Sequence, residues 1–126
     1  MTRRLLLDAS AILAYLWNEA GSDQVASALV QGAVGCTAAN WAEVVTKVLA
    51  RGADWDLAKT ALIGQGIEII PVQTEEAERA GRLWQTHPSL SLGDRFCLAV
   101  AQNLDVPVLT TDRYWAKVTP LAQVIS

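Results

Sequence analysis

Two aspartates occupy equivalent places near opposite ends of the chain. Asp8 follows the apolar run Leu5-Leu6-Leu7, and Asp112 follows Val108-Leu109-Thr110-Thr111. Both runs are typical of buried β-strands. In open parallel sheets, ligands bind beyond the carboxyl ends of the strands, near the point where the strand order reverses. We therefore expect these two carboxylates to meet at one edge of a sheet.

Two further acids stand near predicted helix starts, Glu43 in Asn40-Trp41-Ala42-Glu43 and Asp94 in Ser91-Leu92-Gly93-Asp94. In a fold where helices follow strands, helix starts lie at the same edge of the sheet. Four carboxylates gathered there suit a hard divalent ion such as Mg²⁺ or Mn²⁺, with water completing the coordination. Such an ion activates and orients water for attack on a phosphodiester and stabilises the developing charge. Without a cation the four charges would repel one another.

Each acid also has a purely structural explanation. Asn40 with Glu43, and Ser91 with Asp94, fit the capping box, in which two side chains satisfy free backbone N–H groups at a helix start. Aspartate is also common as a turn former or helix cap, which would equally explain Asp8 and Asp112. The metal-site hypothesis therefore depends on the four acids as a set.

The elements that must position these acids alternate between strand and helix. The strands are apolar throughout, which indicates a mainly parallel sheet covered on both faces, and hence an α/β sandwich. No repeat or linker divides the chain, so we expect one domain over residues 1–126. We predict strands at 5–7, 34–37, 67–72, 106–110 and 123–125, and helices at 11–18, 22–31, 40–50, 54–64, 74–85 and 91–103, with Asn40, Asp54 and Ser91 as N-caps.

The overall composition limits the class of protein. The chain has 126 residues, of which 52% are hydrophobic, and its apolar stretches are too short to cross a bilayer, so we expect a cytoplasmic protein. A net charge of −3 argues against a large basic surface for nucleic acid. A nuclease remains compatible if cations neutralise part of that charge in a pocket. Cys36 and Cys97 match no metal-binding spacing and are expected as buried free thiols.

Four segments, residues 7–14, 40–44, 92–101 and 108–112, together resemble the PIN-domain nucleases, and in particular the VapC-type toxins of bacterial toxin–antitoxin pairs. No single segment is specific, whereas their order and separation are. The resemblance implies a PIN-like three-layer α/β/α sandwich and a Mg²⁺-dependent endoribonuclease, with Mn²⁺ as a substitute. In it, Asp8, Glu43, Asp94 and Asp112 match the four acidic positions, and Asp8 and Asp94 match those most expected to bind Mg²⁺ directly.

Five further residues match positions that support such a site. Ser10 matches a recurrent hydroxyl that holds a metal-bound water or the last acid, and helix capping explains it equally well. Thr110 and Thr111 flank the last acid, where β-propensity also explains them. Arg95 and Arg113 are candidates for contacts with a substrate phosphate, although an arginine beside an acid needs no special purpose.

The resemblance also implies partners. These are an RNA substrate, a small VapB-like antitoxin whose C-terminal segment blocks the pocket, and a second copy of the chain in a homodimer. The five tryptophans exceed what so small a core is expected to hold. Core packing is the commoner role for any one of them, but some are expected at an interface: Trp17, Trp41, Trp55, Trp84 and Trp115.

Other functions fit part of the pattern. An aspartate-based phosphatase would also place its nucleophile at Asp8, but Ser10 stands where its second acid is usual. A nucleotide-binding module is disfavoured because the sequence has no Gly-rich phosphate loop. His87 is the only histidine and gives little support for a zinc site. The strongest alternative is a non-catalytic PIN-fold interaction domain that only binds a partner.

Overall fold

A five-stranded sheet forms the centre of the computed structural model, which describes residues 3–126. Its strands are β1 (Leu5–Leu7), β2 (Val34–Thr37), β3 (Glu68–Ile70), β4 (Val108–Thr110) and β5 (Ala122–Val124). They lie in the order β3-β2-β1-β4-β5, and every neighbouring pair is parallel. The predicted parallel sheet is therefore confirmed, although β3 and β4 are shorter than the predicted strands.

The strand order reverses between β1 and β4. The chain passes from β1 to β2 and β3 on one side, and then crosses to β4 and β5 on the other. In the register of this central pair, Leu6 lies opposite Val108 and Leu7 opposite Leu109. The residues that follow these strands therefore leave the sheet at the same edge, in the position where parallel α/β sheets bind ligands.

Within residues 3–126, six α-helices and one short 3₁₀ helix connect the strands. They are α1 (Ala9–Leu16), α2 (Ser22–Gln31), α3 (Ala38–Ala50), α4 (Trp55–Gly64), α5 (Thr74–Leu83), α6 (Leu92–Leu104) and the 3₁₀ helix Arg113–Lys117. Every predicted helix is present. The 3₁₀ helix was not predicted. It begins immediately after the short loop that follows β4.

The start of α3 differs from the prediction. Thr37, the last residue of β2, caps this helix through its Oγ1, which accepts a 3.1 Å hydrogen bond from the Asn40 backbone N–H. The strand thus runs directly into the helix, and the prediction that Asn40 is the cap is wrong. The caps predicted at Asp54 and Ser91 are confirmed.

Two apolar cores cover the two faces of the sheet. Because successive side chains of a strand point to opposite faces, Leu5 and Leu7 enter one core and Leu6 enters the other. The first core is formed with α1 to α4, and the second with α5, α6 and the 3₁₀ helix, where Leu98 and Trp115 are completely buried. This arrangement is the three-layer α/β/α sandwich that was expected.

The tryptophans divide between core and surface. Trp115 is completely buried, whereas 57% of Trp84 is exposed. Trp41 and Trp55 are partly buried and pack edge to face, with ring centroids 5.1 Å apart. Trp17 is covered by the Arg51 guanidinium, which lies 3.6 Å from its ring centroid.

Two predictions about the class of protein bear on the fold. The two cysteines are free and buried, as expected. Within residues 3–126, none of the helices combines the length and the apolar character that crossing a membrane requires.

Candidate metal centre at the carboxyl edge of the sheet

Asp8 directly follows β1 at the point where the strand order reverses, and only 3% of it is exposed. Its Oδ1 accepts hydrogen bonds from Ser10 Oγ at 2.7 Å and from the Ala11 backbone N–H at 2.8 Å. The second bond caps α1, which explains why this helix begins two residues earlier than predicted. Its Oδ2 accepts a 2.6 Å bond from Thr110 Oγ1. Donors from the β1–α1 turn and from β4 therefore fix both carboxylate oxygens.

Burial raises the pKa of Asp8 from 3.8 to about 6. Hydrogen bonds from Thr110, Ser10 and Ala11 lower this pKa, but they do not offset the effect of burial. The nearby charge of Asp94 raises the pKa further. An adjacent cation favours the charged form of a carboxylate. Asp8 is thus held where its charged form is unfavourable unless a positive group lies beside it.

Two hydroxyl groups join the β1–α1 turn to the loop after β4. Thr110 Oγ1 donates to Asp8 and accepts a 3.1 Å bond from the Asp112 backbone N–H. Ser10 Oγ accepts a 3.0 Å bond from the Thr111 backbone N–H and lies 3.4 Å from Thr110 Oγ1. Ser10 and Thr110 therefore hold the first and last acids in one network, while Thr111 contributes its backbone.

Asp112 is exposed and caps the 3₁₀ helix, since its Oδ1 accepts a 3.0 Å bond from the Tyr114 backbone N–H. Asp94, the third residue of α6, forms the predicted capping box with Ser91. Burial raises the pKa of Asp94; the bonds with Ser91 lower it, and the charge of Asp112 raises it. Because Asp94 acts on the pKa of Asp8 in the same way, the three aspartates are electrostatic neighbours.

Glu43 reaches the same edge from the second turn of α3. Its Oε1 accepts a 2.8 Å bond from Asn40 Nδ2, which also donates to the Gly93 carbonyl oxygen at 3.1 Å. The prediction that Glu43 forms a capping box with Asn40 at a helix start is wrong, because α3 begins two residues before Asn40. Glu43 instead lies against the first turn of α6, next to the residue that precedes Asp94.

The two buried thiols lie beneath this acidic edge. Burial raises the pKa of Cys36 far above its usual range, and the charges of Asp8 and Glu43 raise it further. Burial also raises the pKa of Cys97, and the charges of several groups, among them Asp94, raise it further. Asp8 and Glu43 thus act on both thiols and Asp94 acts on Cys97, so these three acids lie around one region of the molecule.

Thr37 and Asn40 belong to this region, although the pattern of the sequence did not predict a role for them in the site. Thr37 Oγ1 donates a 2.6 Å bond to Asn40 Oδ1, and both side chains are completely buried. A signal was present in the sequence, because threonine is itself a preferred N-cap residue. The cap was instead predicted at Asn40, which is also a preferred N-cap residue.

The acidic edge is not neutralised by basic side chains. The ion pairs within residues 3–126 join Arg3 to Glu68 at 2.6 Å and Arg51 to Glu19 at 4.0 Å, and neither includes one of the four acids. Carboxylate oxygens without basic partners are the ligand type that Mg²⁺ and Mn²⁺ prefer. The chemistry of the donors therefore fits such an ion.

The spacing of the acids limits how they can hold an ion. Across the described residues, no three Asp, Glu, His or Cys side chains form a group that could hold an ion jointly. Mg²⁺ is usually bound through one or two carboxylates and retains several waters. An ion at this edge would therefore be held by one or two of the acids, with Asp8 and Asp94 as candidates, and would keep several of its waters.

The two candidate arginines differ in their surroundings. Arg95 is partly buried, and its Nη1 donates a 3.0 Å bond to the Ala80 carbonyl oxygen on α5. Arg113 is exposed at the start of the 3₁₀ helix, immediately after Asp112. Of the two, Arg113 is the one free to approach a ligand at the acidic edge, while the Arg95 head group is engaged with α5.

Comparison with solved structures shows the fold. A toxin–antitoxin complex from Klebsiella pneumoniae is 22% identical (TM-score 0.71), covering 95% of this chain and 96% of that one. VapBC2 from Rickettsia felis, bound to a promoter DNA fragment, is 12% identical (TM-score 0.73), with 97% and 98% covered. The Mycobacterium tuberculosis toxin VapC20, which cleaves the sarcin–ricin loop, is 16% identical (TM-score 0.68), with 90% and 94% covered.

Comparison at the level of sequence gives two results. No curated protein matches the chain significantly. The family model described as PIN domain matches residues 5–120, a span that begins with β1 and contains all four acids. On this match, which extends over most of the chain, the protein belongs to the PIN domain family.

Proposed function

We propose that this protein is a Mg²⁺-dependent endoribonuclease that cleaves phosphodiester bonds in RNA, with Mn²⁺ able to replace Mg²⁺. The observation that carries the proposal is the convergence of Asp8, Glu43, Asp94 and Asp112 at the edge where the strand order reverses. Membership of the PIN domain family supports it.

Each residue has a defined task in this proposal. Asp8 and Asp94 hold the ion, and Glu43 and Asp112 extend the acidic pocket around it. A bound Mg²⁺ supplies an activated water and a positive charge that stabilises the phosphate. Thr110 keeps the Asp8 carboxylate in a fixed orientation through its 2.6 Å hydrogen bond.

We also propose that the protein is the toxin of a toxin–antitoxin pair, that a small VapB-like antitoxin covers the acidic pocket, and that the protein forms a homodimer. Support for the antitoxin partner comes from two similar structures: the one from Klebsiella pneumoniae is a toxin–antitoxin complex, and the one from Rickettsia felis is VapBC2 bound to promoter DNA. The Mycobacterium tuberculosis toxin cleaves the sarcin–ricin loop, which favours RNA as the substrate class here.

The proposal is tested by incubating the purified, partner-free protein with a panel of structured RNAs in Mg²⁺ or Mn²⁺. EDTA and Asp94→Asn should each abolish cleavage. Asp56→Asn is the matched control, because Asp56 is an exposed aspartate in the first turn of α4. Discrete cleavage that needs both the metal and Asp94 is the expected result, and full activity of Asp94→Asn would refute the assigned role.

One observation favours a second candidate, a PIN-fold interaction domain without catalysis. Among residues 3–126, the acids do not form a closed group of three metal ligands. Such a domain would bind its partner and cleave none of the RNAs in any metal. The same assay distinguishes the two functions.

A further inference from the structure

Gly93, the second residue of α6, lies where the Glu43 carboxyl group approaches the backbone. A Cβ atom built on Gly93 would lie 2.5 Å from Glu43 Cδ and 2.7 Å from Glu43 Oε2, closer than real Cβ contacts allow. The glycines with positive φ are Gly21, Gly32, Gly52 and Gly66, so the backbone of Gly93 does not require glycine. Glycine is required at residue 93 because the Glu43 carboxyl group occupies the space that a side chain would fill.

Asn40 fixes the same carboxyl group through a hydrogen bond. Its Nδ2 donates one bond to Glu43 Oε1 and one to the Gly93 carbonyl oxygen, while its Oδ1 accepts from Thr37 Oγ1. If the amide were reversed, its oxygen would face two acceptors, Glu43 Oε1 and the Gly93 carbonyl oxygen. Its nitrogen would face the Thr37 hydroxyl, which already serves as a donor. The buried amide therefore has one orientation, and it ties α3 to the first turn of α6.

We propose that Asn40 and Gly93 are positioning residues that set the Glu43 carboxylate beside Asp94 at the metal site. The inference rests on the proposed function. Asn40 supplies the hydrogen bond that holds Glu43, and Gly93 supplies the space into which the carboxylate fits. A methyl group at residue 93 would force Glu43 away from Asn40, and with it one negative charge away from the ion.

This displacement should cost little stability. The atoms that would collide with the methyl group belong to the end of a flexible side chain, which moves without moving the helices. Alanine also favours a helix over glycine by roughly 0.5–1 kcal/mol. Gly93→Ala therefore separates the position of Glu43 from the integrity of the fold.

The test is Mn²⁺ affinity, measured by calorimetric titration of the full chain. Gly93→Ala should weaken Mn²⁺ binding by about 10-fold to 100-fold, as loss of an orienting partner does at metal sites. Gly81→Ala is the matched control, because Gly81 is also helical and a Cβ there meets no atom within 4 Å. The metal-free protein should melt at an unchanged or higher temperature in both variants.

A double-mutant cycle gives the decisive comparison. If Gly93 acts through Glu43, then Gly93→Ala should have no further effect on Mn²⁺ affinity in a Glu43→Ala background. Wild-type affinity in Gly93→Ala, or losses that simply add in the double variant, would overturn the proposal. If Gly93→Ala alone does not fold, Asn40→Ala with and without Glu43→Ala provides the same cycle.

Parallel RNA cleavage assays separate this inference from the proposed function. Loss of Mn²⁺ affinity in Gly93→Ala, together with a wild-type protein that cleaves no RNA, supports the positioning role and argues against the ribonuclease. Absence of Mn²⁺ binding by the wild-type protein overturns both.

Discussion

The Thr110 hydroxyl donates a 2.6 Å hydrogen bond to Asp8 Oδ2 and so joins the ends of β1 and β4, across 102 positions of sequence. The same oxygen accepts a bond from the Asp112 backbone N–H. One side chain of the central sheet thus orients the first acid and the loop that carries the last acid. The neighbouring Ser10 hydroxyl completes the network.

Thr110→Val tests this network while keeping the shape of the side chain. It removes the donor to Asp8 and leaves the Asp112 N–H without its acceptor. We expect a loss of about 1–3 kcal/mol in the free energy of unfolding and a fall of about 10-fold to 100-fold in cleavage rate. Thr60→Val, on the exposed face of α4, is the control. Wild-type cleavage by Thr110→Val would contradict the orienting role.

The pKa of Asp8 predicts how pH affects the stability of the metal-free protein. Its pKa is about 6 in the folded state and 3.8 in the reference state, so ionisation of Asp8 destabilises the fold above pH 6. This penalty has its full size, about 3 kcal/mol, above pH 6, and it is relieved as the pH falls from about 6 to about 4. We expect Asp8→Asn, which carries no charge, to be free of the penalty.

The measurement is urea unfolding of EDTA-treated protein at several pH values. The stability of the wild type relative to Asp8→Asn should rise as the pH is lowered from about 7 to about 4. Asp56→Asn, which changes an exposed aspartate, should show no such trend against the wild type. A difference between wild type and Asp8→Asn that stays constant over this range would refute the raised pKa.

Mg²⁺ should stabilise the protein against heat at pH 8. An ion that binds only the folded state, present at 100 times its Kd, adds about 2.7 kcal/mol. We expect a clear rise in Tm for the wild type and little or none for Asp94→Asn, with NaCl of equal ionic strength as the control. An equal rise in both proteins would mean that the ion binds elsewhere.

Arg113 is predicted to contact a substrate phosphate from its exposed position beside Asp112. Arg113→Gln should raise KM for RNA with little change in kcat, and lower the slope of log affinity against log salt by about one. Arg82→Gln, an exposed arginine on α5, is the matched control. Equal KM values for Arg113→Gln and the wild type would remove this residue from the substrate site.

The sequence predicts the local structure around Asp8, Asp94 and Asp112 better than that around Glu43. Asp8 and Asp112 follow apolar runs whose ends are visible in the pattern of residues, and the parallel sheet brings both to one edge. Glu43 was predicted at the same edge of the sheet, but in a capping box at the helix start, whereas it lies in the second turn of α3. Both Thr37 and Asn40 fit a cap, and the hydrogen bonds that decide between them form only when strand and helix are joined.

By itself, the sequence determined the alternation of strands and helices and the parallel sheet, because apolar periodicity and strand-end residues are local features, and it led to the hypothesis that the four acids act as a set. The tertiary structure alone decided how those acids are held. The bond from Thr110 to Asp8 and the contact between Glu43 and Gly93 join residues far apart in the chain. Such contacts depend on strand register and helix packing, in which a shift of one residue changes which side chains meet.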